Sequence, residues 1–272
     1  MPQELVWPPT INLNTPAWRT LQSLLAEAPP SPDQNRLIVF GSAALQLTVA
    51  NELLSADIDI SLDLVTVGPR GMTAPKAEER LRRTAATVNA ALSKDLPYLQ
   101  VSHWMTFQPA NRWERRAFEK TELRWRVVYP HPYDILFSKL RRAEIKDIEA
   151  FRLIIERTGH PTEAEFIQLC AENYRDFEPR LRAAPSHLPE VVRSHDLRSN
   201  TVGLWQTIWG RSIDVDLEIT RPALQQLQAD WVDYDPSLAS ELTRCAQPSR
   251  KQPLPPGKGQ DPNGPENNSP KR

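Results

Sequence analysis

Residues 37–63 read LIVFGSAALQLTVANELLSADIDISLD, and the order of elements they specify decides the fold. Leu37, Ile38, Val39 and Phe40 form a continuous apolar run of strand length, the pattern of a strand buried on both faces. Gly41-Ser42 follow and open a helix in which Ala44, Leu45, Leu47 and Val49 recur at helical spacing. The next strand sets Asp57, Asp59, Ser61 and Asp63 against Ile58, Ile60, Leu62 and Leu64. Residues two apart on a strand point to the same face, so the carboxylates of Asp57 and Asp59 converge on one spot. Strand, glycine-serine turn, helix and acidic strand predict an α+β core with a candidate Mg²⁺ site.

Working outward, residues 1–16 hold four prolines, after which Trp18, Leu21, Leu24 and Leu25 predict a short helix. Gly68, Pro69, Gly71 and Pro75 predict a loop over residues 67–75. Ala77, Leu81, Ala85, Val88 and Leu92 then mark a long amphipathic helix, residues 98–107 a third strand, and residues 126–129 a fourth. From Pro132 onward the apolar residues recur at helical spacing, through Ile135, Leu136 and Leu140, then Ile145, Ile148, Phe151 and Ile154, then Phe166 and Leu169. Strands first and helices after predict a small mixed β-sheet core with helices over residues 1–130 and a helical C-terminal domain over 131–245. Residues 246–272, rich in proline and without an aromatic residue, are expected to form a disordered tail.

Composition narrows the function classes. At 272 residues the chain is long enough to bury a substantial core, and two domains are expected. A formal net charge of −1 gives no global attraction to nucleic acid or membrane, so any such partner must be argued from a local patch. With only Cys170 and Cys245, neither a disulfide framework nor a cysteine zinc site is expected. No run approaches the roughly 20 apolar residues of a membrane span, and the N-terminus lacks a secretory pattern. A cytoplasmic protein without a membrane partner is the expectation.

Transfer of a nucleotidyl or phosphoryl group needs divalent cations on the phosphate oxygens and hard oxygen ligands to hold them. Asp57 and Asp59 are the candidate ligands for Mg²⁺ or Mn²⁺. A helix N-terminus favours phosphate, and Gly41 lets a phosphate approach the chain closely. Ser42 adds a hydroxyl there.

On GSAALQL followed by SADIDI, the chain resembles the nucleotidyltransferase superfamily that shares its fold with DNA polymerase β, and within it the abortive-infection type toxins and their bacterial relatives. YPHPYDILFSKLRRAEIKDIEAFRLII, residues 129–155, looks like the later helical motif of that family, with Lys139, Lys146 and Asp147 at its basic and acidic positions. The resemblance implies transfer of a nucleoside monophosphate from a nucleoside triphosphate to RNA, protein or a small acceptor. It also implies a toxin paired with an antitoxin. Lys139 would then meet the triphosphate. The alternative is a degenerate member that binds nucleotide or a protein partner without turnover. Three departures bear on this, the first being a slightly long gap from Gly41 to Asp57. The arginine that the family carries before its acidic pair has no counterpart here, and residues 99–107, LQVSHWMTF, lack the third carboxylate of many active members. Asp63, Glu119 and Glu122 are the other carboxylates considered for that place.

Each residue has a plainer reading beside the functional one. Asp57 and Asp59 would also suit a polar strand face in solvent, and Ser42 a helix N-cap. Lys139 would suit a solvated helix surface. Asp147, with Ala143, Glu144, Ala150 and Phe151 one turn away, has no in-helix ion pair and reads as a solvated residue. Residues 112–126 carry six basic side chains with Trp113, Phe118 and Trp125, which fits either single-stranded RNA or an amphipathic helix. His103 reads as a core histidine, and His131, His160, His187 and His195 have no partner the sequence identifies. Asp214-Val215-Asp216 repeats the acidic spacing without a glycine-serine turn and helix before it, and reads as a decoy.

Overall fold

The computed structural model describes residues 5–28, 30, 35–62, 74–102, 106–177 and 189–234. Among these, five strands form one mixed sheet in the order β3-β2-β1-β5-β4. The strands are β1 (Arg36–Phe40), β2 (Asp57–Leu62), β3 (Tyr98–Val101), β4 (Phe118–Glu122) and β5 (Trp125–Tyr129). The central strand β1 runs antiparallel to β2 and parallel to β5, while β2 and β3 are parallel. Central position explains the continuous apolar run of β1, since Leu37, Ile38, Val39 and Phe40 are all buried. Each such side chain removed from water contributes about 1.5–3 kcal/mol.

Toward the β3 edge the sheet becomes two-faced. Ile58, Ile60, Leu99 and Val101 are buried, and Asp57, Asp59, Tyr98 and Gln100 alternate with them on the more open face. Helices α1 (Pro16–Glu27) and α3 (Ala74–Ala91) pack against β3. Thr15 caps α1 by accepting from Trp18 N–H, and Pro16 stands at its first helical position. Trp18, Leu21, Leu24 and Leu25 are buried as their spacing predicts. The free edge of β3 is closed by one side chain: Asn89 of α3 accepts from Leu99 N–H at 2.7 Å and donates to Leu99 C=O at 2.9 Å. That amide satisfies the outward backbone groups of Leu99, as a neighbouring strand would.

Helix α2 (Gly41–Thr48) links β1 to β2 and packs on α4 (Pro132–Leu140). After α4 come α5 (Ile145–Thr158), α6 (Glu163–Glu172), α7 (Pro189–Ile208) and α8 (Arg221–Tyr234), with a π-helical segment at Asp216–Thr220. One compact unit extends to Gln225, and a second begins at Gln226, within α8. An α+β architecture with a mixed sheet and a helical C-terminal region is therefore present. No described helix is long and apolar enough to cross a membrane.

Residues 112–126 do not form a helix. A 3₁₀ turn at Trp113–Arg115 leads into the antiparallel β4–β5 hairpin, in which Glu122 faces Trp125. The two turn residues, Leu123 and Arg124, have φ of 47° and 73°. The third strand ends at Val101, short of the predicted residue 107. The predicted loop lies outside the described residues except for Ala74 and Pro75, which already belong to α3. Asp63, His103, His187, Cys245 and the tail 246–272 also lie outside them, as does the side chain of His195.

Candidate active site

The site begins where β1 ends. Gly41 has φ +70°, and a β-carbon built on it would stand 2.8 Å from Asp59 Oδ2. Only glycine combines that backbone with so close an approach to a carboxylate. The register explains the proximity, since Phe40 lies directly across from Asp59 in the β1–β2 ladder. Phe40 is the N-cap of α2 and offers no side-chain hydrogen bond to its first turn. The positive end of α2 thus opens beside the acidic strand, an arrangement that favours an anion.

Ser42 is not the N-cap. It lies inside the first turn, and its Oγ accepts from Lys139 Nζ at 3.0 Å. Lys139 projects from α4 and is 5% exposed, so a bare ammonium there would be costly. Its charge is matched by Asp147 Oδ1 at 2.9 Å. Asp147, at 0% exposure, is buried in the first turn of α5, contrary to its expected place on a solvated face. Its cations come from outside its own helix. Arg142, in the α4–α5 turn, donates through Nε to Oδ2 and through Nη2 to Oδ1, both at 2.8 Å. Glu144 N–H also donates to Oδ2, at 3.3 Å. Burial alone would raise the Asp147 carboxyl, but the hydrogen bonds and charges of Arg142 and Lys139 outweigh it and hold the group below the ordinary aspartate range.

Asp57 and Asp59 share the face beyond Gly41. Ser102, just past β3, donates through Oγ to Asp59 Oδ1 at 3.1 Å. Tyr98 lies across from Asp57 in the parallel β2–β3 ladder and points its hydroxyl at Asp57 Oδ2, 3.4 Å away. Burial, then the charge of Asp57, raises the Asp59 carboxyl above its ordinary range, while Ser102, Arg142 and Lys139 pull in the opposite direction. Two like charges held together in a partly buried place are relieved by a cation between them. Mg²⁺ is commonly held by one or two carboxylates together with water and substrate phosphate, which is the donor set this pair offers. Among the described residues no group of three or more histidine, cysteine, aspartate or glutamate side chains forms a metal cluster.

All five sequence-derived candidates, Gly41, Ser42, Asp57, Asp59 and Lys139, meet at one end of the sheet. Ser102, Tyr98 and Arg142 join them without having been singled out. Lys146 turns to the surface, where it pairs with Glu144 at 3.2 Å. Glu119 is engaged by Arg36 and Arg126, and Arg36 begins β1, the end opposite Gly41. Glu122 pairs with Lys120. Neither glutamate stands beside Asp59 as a third ligand. Asp214 caps its own turn by accepting from Asp216 N–H and Leu217 N–H, and Asp216 pairs with Arg198. His131 caps α4 by accepting from Tyr133 N–H, and burial pushes its imidazole down to about 4. His160 pairs with Glu165. Comparison of the chain with protein-family models, with curated proteins and with solved structures finds no significant match in any of the three.

Proposed function

We propose that the chain is a metal-dependent nucleotidyltransferase, moving a nucleoside monophosphate from a nucleoside triphosphate to an acceptor in RNA, protein or a small molecule. One observation carries the reading: Lys139 Nζ meets Ser42 Oγ at the open start of α2, while the Gly41 turn presses on Asp59. Groups suited to phosphate and a carboxylate pair therefore adjoin. Lys139 uses two of its three N–H donors on Ser42 and Asp147, which leaves one for a phosphate oxygen. The helix start, Ser42 and Lys139 would hold the terminal phosphates and balance the charge of departing pyrophosphate. Asp57 and Asp59 would hold Mg²⁺ or Mn²⁺, which when bound polarises phosphoryl oxygens as a Lewis acid. The role of a toxin with a cognate antitoxin rests on the sequence resemblance alone.

A second reading, nucleotide binding without transfer, is favoured by Ser102, which contacts Asp59 from just past β3 with a hydroxyl where a third carboxylate would add a ligand. Purified protein incubated with Mg²⁺, each labelled nucleoside triphosphate and cellular RNA or protein separates the two. Label transfer by the wild type and not by the Asp57→Ala, Asp59→Ala double variant supports the enzyme. Nucleotide binding with no transfer supports the second reading, and absence of both removes the proposal.

A further inference from the structure

We propose that the open face of β3, formed by Tyr98 and Gln100, is the acceptor subsite, and that Tyr98 stacks an unpaired nucleobase at the end of a single-stranded RNA. The inference rests on the transferase reading and names its acceptor. In-line displacement requires the attacking hydroxyl and the leaving pyrophosphate to lie on opposite sides of the α-phosphorus. Ser42, Lys139 and the start of α2 occupy the side toward β1 and α4. From Gly41 the sheet register leads through Asp59, across from Phe40, to Asp57 and then to Tyr98 on β3. The acceptor hydroxyl therefore arrives from the β3 side. Its oxygen bonds to the α-phosphorus, the bond from that phosphorus to the bridging oxygen breaks, pyrophosphate leaves with the electron pair, and the hydroxyl proton passes to water.

What stands on that side suits a base. Tyr98 is 49% exposed on the open face of β3, while the next residue, Leu99, is 4% exposed on the other. Its hydroxyl meets Asp57, and among the described residues its ring pairs with no other aromatic ring. Gln100, across from Asp59, is exposed two residues along on the same face and offers an amide to a base edge. Lys146, which pairs with Glu144 at the surface, is the cation whose charge is felt at Tyr98. A ring that stacks any base recognises a strand without demanding its sequence.

The test uses the full chain with Mg²⁺, its labelled nucleoside triphosphate and a short single-stranded RNA bearing a free 3′ hydroxyl, and it measures KM for RNA and for nucleotide separately. Tyr98→Ala is expected to raise the KM for RNA about tenfold or more with the nucleotide KM unmoved, and Tyr98→Phe to restore most of the loss. A Tyr98→Phe defect as large as that of Tyr98→Ala would assign the effect to the hydroxyl on Asp57 and overturn the stacking role. A raised nucleotide KM would place the donor there instead, and transfer to protein that ignores Tyr98→Ala would also overturn the proposal. Absence of transfer to every acceptor would remove the transferase reading. Anisotropy of the labelled RNA would then judge the subsite by itself: equal binding by wild type and Tyr98→Ala refutes it, and weakened binding by Tyr98→Ala supports it.

Discussion

Gly41→Ala probes the tightest approach in the site, and the molecule contains its own control. The new β-carbon would meet Asp59 Oδ2 at 2.8 Å, Cγ at 3.7 Å and Cβ at 3.8 Å on a backbone with φ +70°. Gly210 has φ +69° and open space where a β-carbon would go. Left-handed backbone costs an L-residue about 1–2 kcal/mol, and forced overpacking adds about 1–3 kcal/mol. Gly210→Ala is therefore expected to lose about 1–2 kcal/mol and Gly41→Ala about 2–5 kcal/mol in urea unfolding followed by tryptophan fluorescence. Asp59→Ala deletes the two nearest atoms and leaves only an ordinary van der Waals contact. In that background Gly41→Ala should cost no more than Gly210→Ala, a coupling of about 1–3 kcal/mol across the double-mutant cycle. Equal costs for the two glycines in the wild-type background, or no coupling to Asp59, would refute the claim that this turn is built against the carboxylate.

Asp147→Ala leaves the buried Lys139 without its anion, and a loss of about 3–5 kcal/mol is expected in the same unfolding assay. Because the Asp147 carboxyl is held below its ordinary range, the stability it supplies is complete above the aspartate range and lost as pH falls through its folded value, a slope that Asp147→Asn should remove. Asp59 has the opposite sign. Its folded carboxyl titrates above the unfolded one, so stability falls as pH rises between the two values, and Asp59→Asn should be more stable than wild type at neutral pH. That advantage should vanish below about pH 3.9, the ordinary aspartate value. Added Mg²⁺ should raise the Tm of wild type and leave Asp59→Asn unmoved, and an equal rise in both would remove Asp59 from the metal site.

The part of the site that was legible in the sequence is the part specified locally. Apolar continuity set β1, the glycine-serine pair set the start of α2, and the two-residue period put Asp57 and Asp59 on one face. The β4–β5 hairpin carries no such signal. Its turn places Leu123 and Arg124 at positive φ, where asparagine and glycine are the residues that advertise a tight hairpin. Ser102 gives no local sign either, because only the parallel register of β2 and β3 brings it to Asp59. Asp147 was misread for a related reason. A search along its own helix for a cation overlooks Lys139 on the preceding helix and Arg142 in the turn, where Ala143 at φ 49° bends the chain.

Those non-local residues change what the C-terminal helices are. Lys139, at 5% exposure, is matched by the carboxylate of Asp147 on α5, and Ser42 of α2 accepts from another of its N–H donors. This buried cation is therefore held from both sides of residue 130, the expected domain limit. Its position follows from α5 as much as from α4. Asp147 fixes Lys139, Lys139 fixes Ser42, and Gly41 carries the turn onto Asp59, so the acidic pair and the cation are set relative to each other before any ligand arrives. Groups pre-placed in this way would need little reorganisation in the proposed transfer. Asp147 variants that still fold should accordingly bind phosphate more weakly than wild type, with the carboxylate pair on β2 left in place.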